Sequence, residues 1–303
     1  MNLAEPSNQP ASELTDNEIS KKTYYPDIRS TVKAFFVFIF YSFMVGLPFG
    51  VLSFILAIAH LKVPLLRSFL GLSIYIITLL VTIKYVIEKC RETNSYSITE
   101  SFRKVQLWLV PVVIIGALAL IIPLENTSSW VPMPKWVQNY LGTAFTTDVF
   151  SVIMLVIAAP IMEEIFCRGI ILRGLLKNYS PFKAILISAI FFGAIHLNPW
   201  QGIPAFFNGL FLGWIYYKTQ SVIPGIIIHA TINGTATLFL FLPAHQRDLQ
   251  GLFGIHHYIE AILVSIAIFV AICIVINRKV LIIRGSLFKT KDTYAFPNKE
   301  SDN

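Results

Sequence analysis

Glu163-Glu164-Ile165-Phe166-Cys167-Arg168 places three ionisable side chains within six positions of an apolar stretch. A charge at the centre of a spanning helix costs about 2.5–3.5 kcal/mol on insertion scales, so a cluster at that depth marks a candidate functional site. Residues four apart share a helix face, which pairs Glu164 with Arg168. Glu163 is turned about 100° away and keeps no local partner, which makes it the candidate general base. The competing reading is a solvated, charged helix end.

Two more polar placements follow. Phe192-Gly193-Ala194-Ile195-His196 ends an apolar run on a histidine, and His229-Ala230-Thr231-Ile232-Asn233 sets a histidine and an amide on one helix face. Taken singly, a membrane histidine is more often helix-to-helix glue than a catalyst. Here there are two histidines, together with an amide and an unpaired carboxylate. Glu163, His196 and His229 are also a conceivable zinc ligand set with an open fourth position. Against zinc stand the lack of HExxH and the fact that Glu164, engaged by Arg168, would then be the one base left. The residues favour a metal-independent glutamate mechanism, with no cofactor and with Zn2+ as the alternative.

These residues need a scaffold, and the composition names its solvent. The chain has 303 residues, 55% of them hydrophobic, 24 Phe and 14% charged residues, with a mean hydropathy of +0.66. Such a chain is a multi-pass integral protein of the cell membrane. Apolar runs at 34–59, 65–87, 105–122, 148–170, 183–197, 204–217, 222–242 and 260–283 predict an all-α polytopic bundle of about eight transmembrane helices. The fifth and sixth fall short of the ~20 residues a perpendicular span needs. With a cytoplasmic N-terminus, all of the 24 Lys and Arg except Lys62, Arg67, Lys135 and Arg247 fall on the inside. That bias predicts both termini cytoplasmic. The net charge of +7 is then explained by orientation and anionic lipid, with no nucleic-acid partner.

Residues 1–33 and 286–303 read as disordered cytoplasmic tails around a transmembrane domain over 34–285, and residues 1–30 contain no apolar stretch of a cleavable signal. Cys90, Cys167 and Cys273 are odd in number and scattered, which argues against disulfides and a Cys-based metal site. Residues 123–147 read as an outer loop with Trp130 and Trp136 at the interface.

Hairpin register tests whether the polar residues can meet. An antiparallel turn at Asn178-Tyr179-Ser180-Pro181 leaves Glu163 and His196 equidistant from it and therefore at one depth. His229 and Asn233 stand roughly 12 and 18 Å above the next turn, near Ser221, and Glu163 roughly 21 Å above its own. Pro160 is expected to kink its helix just before Glu163. Gly209 and Gly213 form a small-xxx-small face expected to bring the His196 and His229 helices together, with Asn208 as a further polar contact.

The ordered set Glu163-Glu164-xxx-Arg168, Phe192-xxx-His196 and His229-xxx-Asn233 resembles the EExxxR, FxxxH and HxxxN motifs of the CAAX-prenyl-protease and bacteriocin-processing family, also called ABI. The resemblance covers residues 148–242, with no departure at the motif positions. It implies an intramembrane endopeptidase acting on a membrane-associated peptide or protein: a prenylated CAAX protein, a bacteriocin or another peptide. Glu163 would activate water, His196 would help hold it, His229 and Asn233 would donate to the oxyanion, and Glu164 with Arg168 would fix the Glu163 helix. The alternative is a noncatalytic membrane immunity or scaffolding protein that retains the fold. A proton-coupled transporter would call for paired broken helices in two related halves, which the sequence does not display.

Overall fold

The structure is a computed structural model that describes residues 24–61, 63–93, 97–144, 146–243 and 246–280. The described residues are helical with no β-sheet. The helices are α1 (Ile28–Ile58), α2 (Pro64–Glu92), α3 (Leu109–Leu124), α4 (Lys135–Ala144), α5 (Val149–Asn178), α6 (Pro181–Ala194), α7 (Pro199–Thr219), α8 (Ile223–Leu240), α9 (Leu249–Phe253) and α10 (Ile255–Lys279). Each of the eight expected apolar runs contains a helix among the described residues. Six of them, α1, α2, α3, α5, α8 and α10, are long and apolar enough to cross a membrane.

The two short runs became α6 and α7. With 14 residues, α6 is about 21 Å long, short of a hydrocarbon core of about 30 Å. It forms a closely packed hairpin with α7. Helix α1 starts at Ile28, ahead of the expected boundary, because the Asp27 carboxylate accepts from Ser30 N at 2.8 Å and caps it. Tyr24 and Asn178 exchange hydrogen bonds of 2.9 and 2.7 Å, which ties residues 24–27 to the end of α5. Of the 1–33 tail expected to be disordered, residues 24–33 are instead ordered, as a docked segment and the first turns of α1; residues 1–23 and 286–303 lie outside the described residues. The stretch read as an outer loop contains α4, whose Trp136 is exposed. The three cysteines are free.

Helix α5 is the axis of the bundle. It runs 30 residues but is not uniform: Met154–Ala158 and Ile165–Leu172 are π-helical. The second π stretch lies at the centre of the core, with Phe166 through Leu172 buried. A π register widens the helix and often marks a functional site. Outward-facing Phe36, Phe40, Phe43 and Phe54 on α1 suit a helix whose solvent is lipid.

The loop before α3 closes the bundle at the α5–α6 turn end. Ser101 is buried, donates to Gly169 O at 3.1 Å and accepts from Arg173 Nη1 at 3.2 Å. Val222 N donates to Ser101 O at 2.9 Å. Arg173, counted above among the inside charges, is 1% exposed and pairs with Glu100, so it is a bundle staple rather than a surface charge.

At its other end α5 starts on Asp148, whose carboxylate accepts from Phe150 N, Ser151 N, Ser68 Oγ, Ser151 Oγ and Thr146 Oγ1. Burial alone would raise this carboxyl, but the hydroxyl and backbone donors outweigh it and hold the group well below the usual carboxylate range. A carboxyl depressed on folding stabilises above its unfolded value near 3.9 and loses that contribution as pH falls through the folded value. Asp148→Ala should therefore lower stability by about 1–2 kcal/mol at neutral pH. The gap between variant and parent should close as thermal unfolding is repeated at pH values descending below about 4.

Candidate active site

Pro160 has no N–H, and in a π register the donor it lacks would have served the carbonyl five residues back, Leu155. Asn233 Nδ2 donates to Leu155 O at 2.8 Å. The predicted disturbance before Glu163 is thus present as a π segment. One hydrogen of the Asn233 amide closes the gap, which leaves the other for a ligand.

Glu163 is 8% exposed and lines a cavity of about 340 Å3 that His196, His229, Asn233 and Gln201 also line. The four expected site residues therefore meet in one space. The hairpin register explains how: Phe166 on α5 packs edge-on against Phe191 on α6 at 5.4 Å, and Ser188 Oγ donates to Cys167 O at 3.3 Å. Both pairs are nearly equidistant from the α5–α6 turn, as Glu163 and His196 are.

Glu163 is not free of partners, as its own helix suggested. Tyr75 of α2 donates its hydroxyl to Glu163 Oε1 at 2.6 Å. The other oxygen, Oε2, is buried without a hydrogen-bond partner. One oxygen is thus held and the other is left for a ligand.

Glu164 is fully buried and its Oε1 accepts from Arg168 Nη1 at 2.7 Å, the i,i+4 pair expected from spacing. His229 Nδ1 stands 3.2 Å from the same oxygen. Since a carboxylate only accepts, Nδ1 is the donor, and a neutral His229 has its lone pair on Nε2. The ring donates from Nε2 only when doubly protonated, which refines the oxyanion role assigned to it. Residues Gly225, His229 and Asn233 repeat at four-residue spacing along α8 and face α5. A Cβ on Gly225 would lie 2.7 Å from Glu164 Oε2. Gly225→Ala should displace that carboxylate, loosen both its partners and reduce turnover roughly 10- to 100-fold, the range seen when the partner orienting a histidine is lost; a rate assay on folded protein checks this.

Phe192 explains why an aromatic ring precedes His196 by one helical turn. Arg168 lies over the Phe192 ring, 4.2 Å from its centroid, while His196 and His229 approach the ring edge-on at 5.4 and 5.6 Å. One ring thus spaces the guanidinium and both imidazoles. Arg168 Nη2 also donates to Gly209 O at 3.3 Å.

The glycine face works differently from expectation. A Cβ on Gly209 would lie 3.1 Å from Ala189 Cα, and one on Gly213 3.1 Å from Ile185. The glycines therefore bring α7 onto α6, while Phe192 bridges toward α8. Asn208 does not line the cavity, and its buried Oδ1 has no partner.

His196 lies in the turn after α6. Its Nδ1 donates to Phe192 O at 2.8 Å, which leaves the lone pair of a neutral ring on Nε2. Leu197 follows at φ +56°, and Asn198 caps α7 through Gln201 N at 3.0 Å. Asn198 Nδ2 also donates to Gln201 Oε1 at 2.6 Å, an orientation that leaves the Gln201 amide hydrogens for the cavity. Neither Tyr75 nor Gln201 emerged from the sequence; only the cap-and-proline signal Asn198-Pro199 hinted at the helix start that positions Gln201.

Among the described residues, no three His, Cys, Asp or Glu side chains are grouped so as to hold a metal ion. Glu163, His196 and His229 line one cavity but are not gathered into a ligand set, and one Glu163 oxygen is engaged by Tyr75.

A family model described as type II CAAX prenyl endopeptidase Rce1-like matches residues 145–235. A CAAX prenyl protease 2 of Methanococcus maripaludis is 29% identical over 146 residues, 41% of this chain and 52% of that protein. The chain thus aligns over about half the length of that relative. No solved structure matches. The matched segment carries Glu163, Glu164, Arg168, His196, His229 and Asn233 in motif order, and over that segment the chain is similar to the type II CAAX prenyl endopeptidases.

Proposed function

We propose that the chain is an intramembrane endopeptidase that hydrolyses a peptide bond of a membrane-associated, CAAX-type substrate within this cavity. The observation that carries the proposal is the pairing of a buried Glu163 carboxylate, one oxygen held by Tyr75 and the other without a partner, with a His196 ring whose Nε2 is an acceptor. A water has two hydrogens, and these two acceptors suit them, which leaves its lone pair for a carbonyl carbon. Glu163 takes one proton as the water attacks. The oxyanion is met by the remaining Asn233 amide hydrogen, with the His229 ring, held at Nδ1 by Glu164, beside it. Donors of this kind contribute about 2.7–4 kcal/mol each. The proton on Glu163 then passes to the leaving nitrogen, and a carboxylic acid and an amine result, which become carboxylate and ammonium once the acid proton is passed on. No metal takes part.

The name of the Methanococcus maripaludis relative supports a substrate with an isoprenylated Cys in a C-terminal CAAX sequence. The test uses purified, lipid-reconstituted protein with such a peptide and its unprenylated counterpart. Cleavage of the prenylated peptide should persist after exhaustive chelation, with metal content measured on the same sample. Activity lost to chelation and restored by Zn2+ contradicts the metal-independent mechanism. A protein that binds the peptide without ever cutting it contradicts the enzyme and favours a scaffold.

A further inference from the structure

A second cavity, about 270 Å3 in volume, lies between α1 and α2 and shares Phe38, Tyr75 and Met154 with the catalytic one. The two spaces are therefore neighbours across the Tyr75 ring, whose hydroxyl holds Glu163. The remaining walls are Ser42 from α1 with Gly71, Ile74 and Thr78 from α2. The lining is mostly apolar. Ser42 Oγ is satisfied by Phe38 O at 2.8 Å, whereas Thr78 is buried and its hydroxyl has no acceptor or donor opposite it. The space exists in part because Gly71 leaves it: a Cβ there would meet nothing within 4 Å.

We propose that this arm is the subsite for the substrate side chain on the amine side of the scissile bond, and that Gly71 and Thr78 set the size and kind of residue it takes. The inference rests on the peptidase reading above. A volume just under the ~300 Å3 at which ligand pockets begin suits one large apolar side chain rather than a whole ligand. The shared wall places such a side chain one aromatic ring away from Glu163. The Thr78 hydroxyl would meet a backbone amide of the same residue, which gives a buried orphan group a partner.

Gly71→Leu narrows the arm from a position that lines this space and not the catalytic cavity. Lipid-reconstituted protein would be assayed with prenylated peptides identical except for Leu or Ala after the prenylated Cys. The parent should prefer Leu, and the variant's Leu-to-Ala ratio of kcat/KM should fall roughly 10-fold or more, while the Ala peptide is cut within about threefold of the parent rate. Gly71→Ala should fall between them, and a thermal unfolding curve confirms that each variant folds. An unchanged ratio, or an equal loss on both peptides, overturns the subsite; the latter is what an isoprenyl or lipid chain in the arm would produce. If the parent cuts neither peptide, the peptidase reading itself fails and the subsite with it.

Discussion

Glu163→Gln should abolish peptide hydrolysis while leaving the bundle folded. Glutamine keeps the shape of the side chain and an oxygen for the Tyr75 hydroxyl, now 2.6 Å from Oε1, but cannot take a proton from water. Removing a general base typically costs roughly 100- to 10,000-fold in rate, and the loss should lie in kcat. Tyr75→Phe offers an internal comparison. It removes one hydrogen bond to a charged group, worth about 1.5–3 kcal/mol, so its effect should be clearly smaller than that of Glu163→Gln. Rates of prenylated-peptide cleavage by both variants, with unfolding temperatures alongside, check the order. Equal losses would mean that Tyr75 shares the proton chemistry rather than positioning Glu163.

Arg168→Ala should have the largest effect on stability. The Glu164–Arg168 pair is buried, with side-chain exposures of 0% and 1%, and removing one partner of such a pair costs about 3–5 kcal/mol because the other charge stays behind uncompensated. Here the remaining charge would face His229 at 3.2 Å, and the Phe192 ring would lose the guanidinium stacked on it. Thermal unfolding in lipid or detergent reads the loss. Replacing both members, Glu164→Gln with Arg168→Met, removes both charges at once and should recover much of the stability. Activity should stay low in the double variant, since His229 then lacks its carboxylate. If Arg168→Ala unfolds at the parent temperature, the pair does not hold the α5–α8 contact.

The parts of the site legible in the sequence are those within one helix or one hairpin. Spacing alone paired Glu164 with Arg168, and the turn at 178–181 alone put Glu163 and His196 at one depth. What escaped depends on packing between distant segments. Tyr75 lies 88 residues from Glu163, on a helix whose sequence carries no motif and that lies outside the segment resembling the family. The orientation of His229 was equally hidden, because spacing gives the face of a helix but not the nitrogen that meets a neighbour's carboxylate. Hydropathy is blind to the π segments of α5, since one more residue per turn leaves composition unchanged. It also read 123–147 as loop, where α4 forms.

The most direct test of a water activated by Glu163 is a single turnover in oxygen-18 water, with the new carboxylate of the product and the Glu163 peptide both examined by mass spectrometry. The expected result is one heavy oxygen in the product's carboxylate and none in Glu163, with no product from Glu163→Gln. Heavy oxygen in Glu163, or a product formed at the parent rate by the variant, would contradict a glutamate that acts on water rather than on the peptide itself.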